Sequence, residues 1–500
     1  MPAKRIDNFK RDNPSGENAE EHERSNEISG FNQGRGRQRG AALLIMLVIM
    51  VVGIAAILVD SLTAASVNTA RHAKTAAALA QAKDALIGYA ITYADTHSGQ
   101  MPGYLPCPDP NGNAGVNGEG SSETCGGKDV SAIGRLPWKT LGLSPLRDGD
   151  GECLWYAVSG TYKNNPMTDM MNWDTNGQFL AYASDGTLLT TDAGNQVVAV
   201  VFAPGTVLSG QNQNRSPDGN APVCGGNYTV TNYLDNDTMH GINNTDIATG
   251  KFIQGTSSGS INDQMIFITR QDIWDAMLKR NDFMTNLTTM TQKAAECLAD
   301  YGKRNYYYYY GDERLPWAGR LYNPPTDYKT DGNYDDADGR LAGRLPYRVN
   351  TSDYYTSNQI SSPWYQLQLS STAPYAPINC PNVPEWTTYY PWWTNWKDHL
   401  YYAVAWSFRP STSYSTSCGT CLKVNGSGHY AAVVIFAGQA LAGQSRTTDA
   451  DRLDPANYLE GNNLTNINNY TSGNGNYQSG TANNNDVLYC IKSDLSVTPC

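Results

Sequence analysis

Charge is scarce in this chain. Asp, Glu, Lys and Arg make up 17% of its 500 residues, against about 25% in ordinary globular proteins. Asn, Gly, Ser, Thr and Tyr fill the gap, a composition that suits an exported, loop-rich β protein. An excess of positive charge is also missing: the net charge is −11, which argues against a general nucleic-acid binder, so no nucleic-acid partner is expected. Histidine is sparse. His22, His72, His97, His240, His399 and His429 are scattered, with no pair at ligand spacing, which argues against a zinc site. Cys418-Gly419-Thr420-Cys421 has no second CxxC and no thioredoxin-like context, so it reads as a small loop disulfide or two separate pairings. Gly255-Thr256-Ser257-Ser258-Gly259 matches G-x-S-x-G, but a Ser/Gly/Asn loop follows it where a nucleophile elbow needs a helix; it reads as a loop.

One long apolar run is present. Ala41 to Val59 carries no charge and no polar side chain. A helix of that length spans roughly one bilayer core at about 1.5 Å per residue. Arg35, Arg37 and Arg39 precede it and Asp60 follows, which places the N-terminal side in the cytoplasm and the rest outside. No small-x-small site closes the run, so it is no ordinary signal peptide. Residues 1–40 are polar, charged and aperiodic, the pattern of a disordered leader. After Ser61 the chain is Ala-rich. Leu79, Ala82, Leu86, Ala90 and Tyr93 recur at three or four residues, one face of a helix. The expectation is one helix over 41–95, membrane-spanning over 41–59, ended by Gly99 and Pro102.

The Gly40-Ala41 junction, basic before and apolar after, resembles the prepilin-peptidase site of type IV pilins and type II secretion pseudopilins. Leu105-Pro106-Cys107-Pro108-Asp109, then Leu136-Pro137-Trp138-Lys139-Thr140-Leu141-Gly142-Leu143 and Tyr156-Ala157-Val158, is similar to a subgroup of pilin-like proteins. The resemblance implies leader removal at Gly40 by prepilin peptidase and methylation of Ala41. It also implies residence in inner-membrane lipid before assembly, with other pilin or pseudopilin subunits as partners. Most of that family carries Glu five residues after the cut; here the position is Ile45, which suits a subunit at a filament tip.

The second half repeats the first. Gly134-Arg135-Leu136-Pro137 returns as Gly343-Arg344-Leu345-Pro346, and Leu154-Trp155-Tyr156-Ala157-Val158 as Leu400-Tyr401-Tyr402-Ala403-Val404. Phe202-Ala203 with Gln211 returns as Phe436-Ala437 with Gln444, and Asn232-Tyr233-Leu234-Asp235 as Asn457-Tyr458-Leu459-Glu460. Two tandem heads follow, 96–270 and 271–500. The second opens on its own helix, about Gln271 to Asp300. The expected fold class is α+β: a long pilin-like N-terminal helix and two loop-rich heads, each a helix packed with an antiparallel sheet.

Ten cysteines in an exported chain suggest disulfides. Cys107 with Cys125 and Cys490 with Cys500 are the preferred bridges. Two acidic loops have the alternating oxygens a hard cation needs, so calcium is the candidate cofactor. One holds Asp109, Asn111 and Asn113, with Glu119 further on; the other holds Asp331, Asn333, Asp335, Asp336 and Asp338. Trp386, Trp392, Trp393 and Trp396 form either a stacking surface or core.

Function follows as an expectation. The chain acts by assembly, as a minor and possibly tip subunit of a type IV pilus or type II secretion filament, and not as an enzyme. It sits in the bacterial inner membrane as a single pass with its C-terminal part in the periplasm, then in a periplasmic or surface filament. The alternatives are a tethered or tip adhesin using the second-head aromatics, and an anchored periplasmic hydrolase.

Overall fold

The structure, a computed structural model, describes residues 39–111, 118–190, 196–213, 221–256, 261–305, 314–321, 327–350, 375–377, 380, 382–410, 418–480 and 484–500; of 39–64 it describes the backbone alone. Helix α1 runs Arg39–Thr96. The apolar run 41–59, the Gly40-Ala41 junction and Ile45 fall where side chains lie outside that description. The chain divides into two units, Met1–Ser66 and Val67–Cys500. α1 ends where His97 N–H bonds Tyr93 O and Gly99 turns left-handed at φ 79°.

Among the described residues no helix is long and apolar enough to cross a membrane. This corrects the expected single-pass inner-membrane placement.

The face of α1 with the three-four period is buried: Leu79, Ala82, Leu86, Ala90 and Tyr93. It contributes to one core with a first sheet. The strands of the first half are β1 Ala132–Arg135, β2 Trp155–Val158, β3 Leu180–Tyr182, β4 Val197–Ala203, β5 Asn236–Asp237, β6 Ile242–Asn243, β7 Lys251–Ile253 and β8 Gln264–Thr269. Four make an antiparallel sheet in the order β1-β2-β4-β8. Both faces are covered: Tyr156 and Val201 meet the main core, while Trp155, Val200 and Phe202 meet a second cluster with Phe179, Tyr233 and Phe252. That explains why β4 is apolar at every position rather than alternating.

At the end of β8 a capping box starts α2, Arg270–Leu278: Asp272 N–H bonds Thr269 Oγ1 and Thr269 N–H bonds Asp272 Oδ2. α3 follows as Asn281–Asn305. The single helix expected over 271–300 is therefore broken. Arg280 is drawn sideways onto Asp95, at 2.8 and 3.0 Å, and onto Asp282.

The second half adds β9 Ala342–Arg344, β10 Arg348–Asn350, β11 Tyr375–Pro377, α4 Trp386–Trp396, β12 Leu400–Val404, β13 Leu422–Val424, β14 Ser427–Phe436, α5 Asp449–Leu453, α6 Gly461–Asn468, β15 Asn476–Tyr477, β16 Val487–Lys492 and β17 Val497–Pro499. Its large sheet carries β9-β12-β14-β16 in the order that β1-β2-β4-β8 takes in the first. Tyr156 Oη donates to Pro106 O at 3.1 Å, and Tyr402 Oη to Pro316 O at 3.2 Å. One strand slips. Trp155 faces Phe202, but Tyr401 faces Ile435. A slip of one residue reverses the faces of a strand. Phe202 packs on Phe252 in the second cluster, whereas Phe436 stacks on His399 in the main core.

These features correct the expected fold class. The described chain is a mixed α/β arrangement of helices and sheets with parallel pairs β3·β7 and β13·β15. It has no membrane-spanning helix among the described residues. Leu86 of α1, Tyr156 of β2, Leu298 of α3 and Val433 of β14 belong to one continuous core.

Candidate functional site

Five disulfides close: Cys107–Cys125, Cys153–Cys224, Cys297–Cys380, Cys418–Cys421 and Cys490–Cys500. The second and third were not legible as pairs in the sequence. Of the two readings of the tryptophan stretch the packing fits core: Trp386, Trp393 and Trp396 are buried and Trp392 is half-buried against Phe283.

Several side chains of the acidic loops have protein partners. Lys397 Nζ lies 2.5 Å from Asp331 Oδ1, and Arg348 Nε 2.6 Å from Asp335 Oδ1. Asn333 Nδ2 bonds Asp327 O, Asp336 is buried and Asp338 is exposed. In the first loop Asp109 Oδ2 accepts from Gly120 N at 2.7 Å and from Tyr228 Oη at 3.0 Å, its Oδ1 accepts from Asn111 N, and Asn113 lies outside the described residues. Among the described residues no group of three or more His, Cys, Asp or Glu could hold a metal ion. Ser257 also lies outside the described residues.

A buried charged cluster joins the two halves. His399, fully buried, faces Asp398 Oδ1 through Nδ1 and Asp174 Oδ2 through Nε2, both at 2.9 Å. Trp173 Nε1 also donates to Nε2 at 2.8 Å. A proton on Nε2 suits Asp174 and opposes Trp173; a bare Nε2 does the reverse. In both cases the ring is enclosed by its partners. Arg446 Nη1 sits 3.2 Å from Asp174, and Arg452 Nη2 2.9 Å from Asp398 Oδ2, which also takes Tyr458 Oη at 3.1 Å. Burial works against both carboxylate charges, but Arg446 and His399 outweigh it at Asp174, and His399 and Arg452 at Asp398, so both are held below the usual range. This cluster has the parts of an acid–base relay and no open face. Its work is to lock the halves together.

Among the described residues an accessible groove of about 490 Å³ lies beside the Cys107–Cys125 bridge, lined by Tyr89, Ser122, Glu123, Thr124, Thr140, Asn164 and Asn165. Gly120 holds one wall. At φ 79° it lies under Trp138, where a Cβ would come within 2.3 Å of the ring, and its carbonyl accepts Lys139 N–H at 2.8 Å. Buried Lys163 bonds Cys125 O and Gly127 O and fixes the opposite loop.

Three hydroxyls in the groove are set alike. Tyr89 Oη accepts Asn164 Nδ2–H at 3.1 Å, Thr124 Oγ1 accepts Asn165 Nδ2–H at 2.8 Å, and Thr140 Oγ1 accepts Ser122 N–H at 2.7 Å. Each uses a lone pair inward and keeps its own proton to donate. Burial raises the Tyr89 hydroxyl above its ordinary range, against the Asn164 bond, so it stays a donor. The groove can therefore present oriented O–H donors to a neutral, oxygen-rich ligand. Cys107 and Thr140 come from the two motifs the sequence singled out. Tyr89 belongs to the string Ala85-Leu86-x-x-Tyr89 that returns as Cys297-Leu298-x-x-Tyr301, while Asn164 and Asn165 carried no signal.

No known protein family matches this chain, and neither a curated protein nor a solved structure does. The pilin and pseudopilin resemblance of the N-terminal segment and of the Leu105–Asp109 and Leu136–Leu143 strings is corrected accordingly: it establishes no family membership.

Proposed function

We propose that this chain is a binding protein, not a catalyst, and that it takes a neutral polyhydroxylated ligand of the saccharide class in the groove beside Cys107–Cys125. The observation that carries this reading is the matched setting of Tyr89, Thr124 and Thr140, three hydroxyls with lone pairs engaged and protons left over. Glu123 is the single charged lining residue, so ionic ligands have little to pair with. The volume falls in the range of small-molecule sites, about 300–1,000 Å³. Five disulfides suit work in an oxidising compartment. Glycan-array screening of the full chain, followed by titration of hits against Tyr89→Phe and Thr124→Val, tests the reading. Binding weakened at least about tenfold, for one lost hydrogen bond in a desolvated site, with an unchanged unfolding midpoint supports it. A folded protein that binds no glycan on the array rejects it.

A second reading, assembly with other subunits, is favoured by α1. Ala73, Ala76, Ala77 and Ala80 are exposed on it, and small side chains let a second helix approach closely. Light scattering of the full chain and of Ala77→Glu tests this; a wild type that stays monomeric with its co-expressed partners removes it.

A further inference from the structure

The two halves differ just after their matched strands. Leu105 N–H bonds Tyr162 O at 2.7 Å, and Leu315 N–H bonds Phe408 O at 2.8 Å. Gly160 and Trp406 therefore hold equivalent places, each two residues past its strand, β2 or β12. Gly160 is closed in: a Cβ there would come within 2.2 Å of the Asp129 backbone. Trp406 is instead 43% exposed. Arg409 backs its ring, with Cζ 3.6 Å from the centroid and Nη1 donating to Trp406 O. Trp406 N–H bonds Gly473 O at 3.1 Å and Leu341 N–H bonds Tyr470 O at 2.7 Å, so the loop 470–473 carries a second ring beside this turn. Tyr470 is 40% exposed, and Arg340 Cζ lies 4.2 Å over its centroid.

These rings come with unpaired positive charge. Ala318 N–H bonds Arg340 O at 3.0 Å, which runs the segment of Arg320 alongside Arg340. Arg320 is exposed and Arg340 half-buried, with its Nη1 fully covered. Among the described residues neither guanidinium makes a hydrogen bond or an ion pair. Asp335, which the Arg320 charge also reaches, gives both of its oxygens to Arg348 at 2.6 and 3.0 Å. Burial lowers the Arg340 guanidinium from its ordinary range; the Tyr470 hydroxyl opposes this and the Arg320 charge adds to it. A guanidinium does not shed its proton in a protein. A partly buried one without an oxygen partner is therefore a standing cost that an anion relieves.

We propose that Tyr470, Trp406, Arg340 and Arg320 form a second binding site, for an acidic saccharide of the uronate type, sharing no residue with the groove beside Cys107–Cys125. Sugar rings stack on the two aromatic side chains, and a carboxylate settles on Arg340, drawn there by the added charge of Arg320. A small anion alone leaves the rings unused; a neutral sugar leaves the charge unpaired. The guanidinium fork matches a carboxylate, and charge-assisted hydrogen bonds of that kind are the strong ones. Aromatic faces suit a ring with one apolar side.

The test is calorimetric titration of the full chain with oligogalacturonate, oligomannuronate and hyaluronan oligosaccharides, each beside its methyl-esterified form, which keeps the rings and removes the charge. The expected result is that at least one acidic form binds and that its ester binds at least about tenfold more weakly, the effect of one lost charge-assisted bond. Arg340→Gln should cost as much, and Tyr470→Leu severalfold. Arg320→Gln, at an exposed position, should cost at least about threefold at low salt and less at high salt; with the ester it decides the matter if Arg340→Gln does not fold. A folded chain that binds none of the acidic oligomers overturns the proposal, and so does an ester that binds as well as its acid. Acetate competing as strongly as the oligomer shows an anion site only, and also overturns it. Binding lost in Tyr89→Phe but kept in Arg320→Gln places the ligand in the other groove, which overturns this site and leaves that one standing.

Discussion

Arg452 Nη2 donates to Asn172 Oδ1 at 2.8 Å across 280 residues of sequence, and the same nitrogen reaches Asp398 Oδ2 at 2.9 Å. One guanidinium thus fastens the first half to the second inside the core. Removing one partner of a buried ion pair leaves the other charge desolvated, at about 3–5 kcal/mol. Arg452→Met should lower the unfolding free energy of the full chain by that amount. Because the halves share their core, both should still unfold in one transition followed by tryptophan fluorescence. Two separated transitions in the wild type would show that the halves are independent.

The disulfides should differ in worth by loop length. Cys153–Cys224 and Cys297–Cys380 span 71 and 83 residues, Cys418–Cys421 only 3. Chain-entropy reasoning gives about 4 kcal/mol for each long loop and under about 2 kcal/mol for the short one. Paired Cys→Ala variants measured by denaturant unfolding check the ranking. A Cys418/Cys421 double variant that loses more than the Cys153/Cys224 double variant would contradict it.

What could be read beforehand was local. The period of Leu79, Ala82, Leu86, Ala90 and Tyr93 marked the buried face of α1 because neighbours on a helix recur every three or four residues. The strings around Gly134 and Gly343 marked equivalent strand pairs because backbone packing there constrains residue type. What depends on distance in sequence stayed hidden. Arg446 and Asp174 meet across 272 residues, and nothing in either neighbourhood announces the other. The one-residue slip of β14 was invisible because Phe436-Ala437 aligns with Phe202-Ala203 by letter, while the sheet pairs by face. The count of Trp386, Trp393 and Trp396 left display and core both open, because burial depends on what packs over them; all three are buried.

Acid should unfold this protein through the junction. Asp174 and Asp398 are held below the usual carboxylate range, so their stabilisation is present above the unfolded pKa of about 3.9 and is lost as pH falls below it. The Asp486 carboxyl, pushed up to about 7 chiefly by burial, acts with the opposite sign above that point. Stability should therefore peak on the acid side of neutrality, near about pH 4–5. Thermal midpoints measured from pH 3 to pH 8 give the curve directly. A monotonic rise toward pH 8 would show that the junction carboxylates dominate alone.

Three glycines separate packing from propensity. A Cβ on Gly343 would lie 2.0 Å from Gly319 O, and one on Gly134 2.5 Å from Asp109 O. These are backbone oxygens held in place by bridges, Gly319 with Arg344 and Asp109 with Arg135, so they cannot step aside. Gly88 sits inside α1 with nothing within 4 Å of such an atom. Gly343→Ala and Gly134→Ala should each cost about 1–3 kcal/mol through overpacking. Gly88→Ala should instead stabilise by about 0.5–1 kcal/mol, because alanine loses less backbone freedom in a helix. Denaturant midpoints of the three variants decide it. If Gly343→Ala is neutral, the second sheet does not approach the Gly319 backbone as described, and the equivalence of the two strand pairs loses its physical basis.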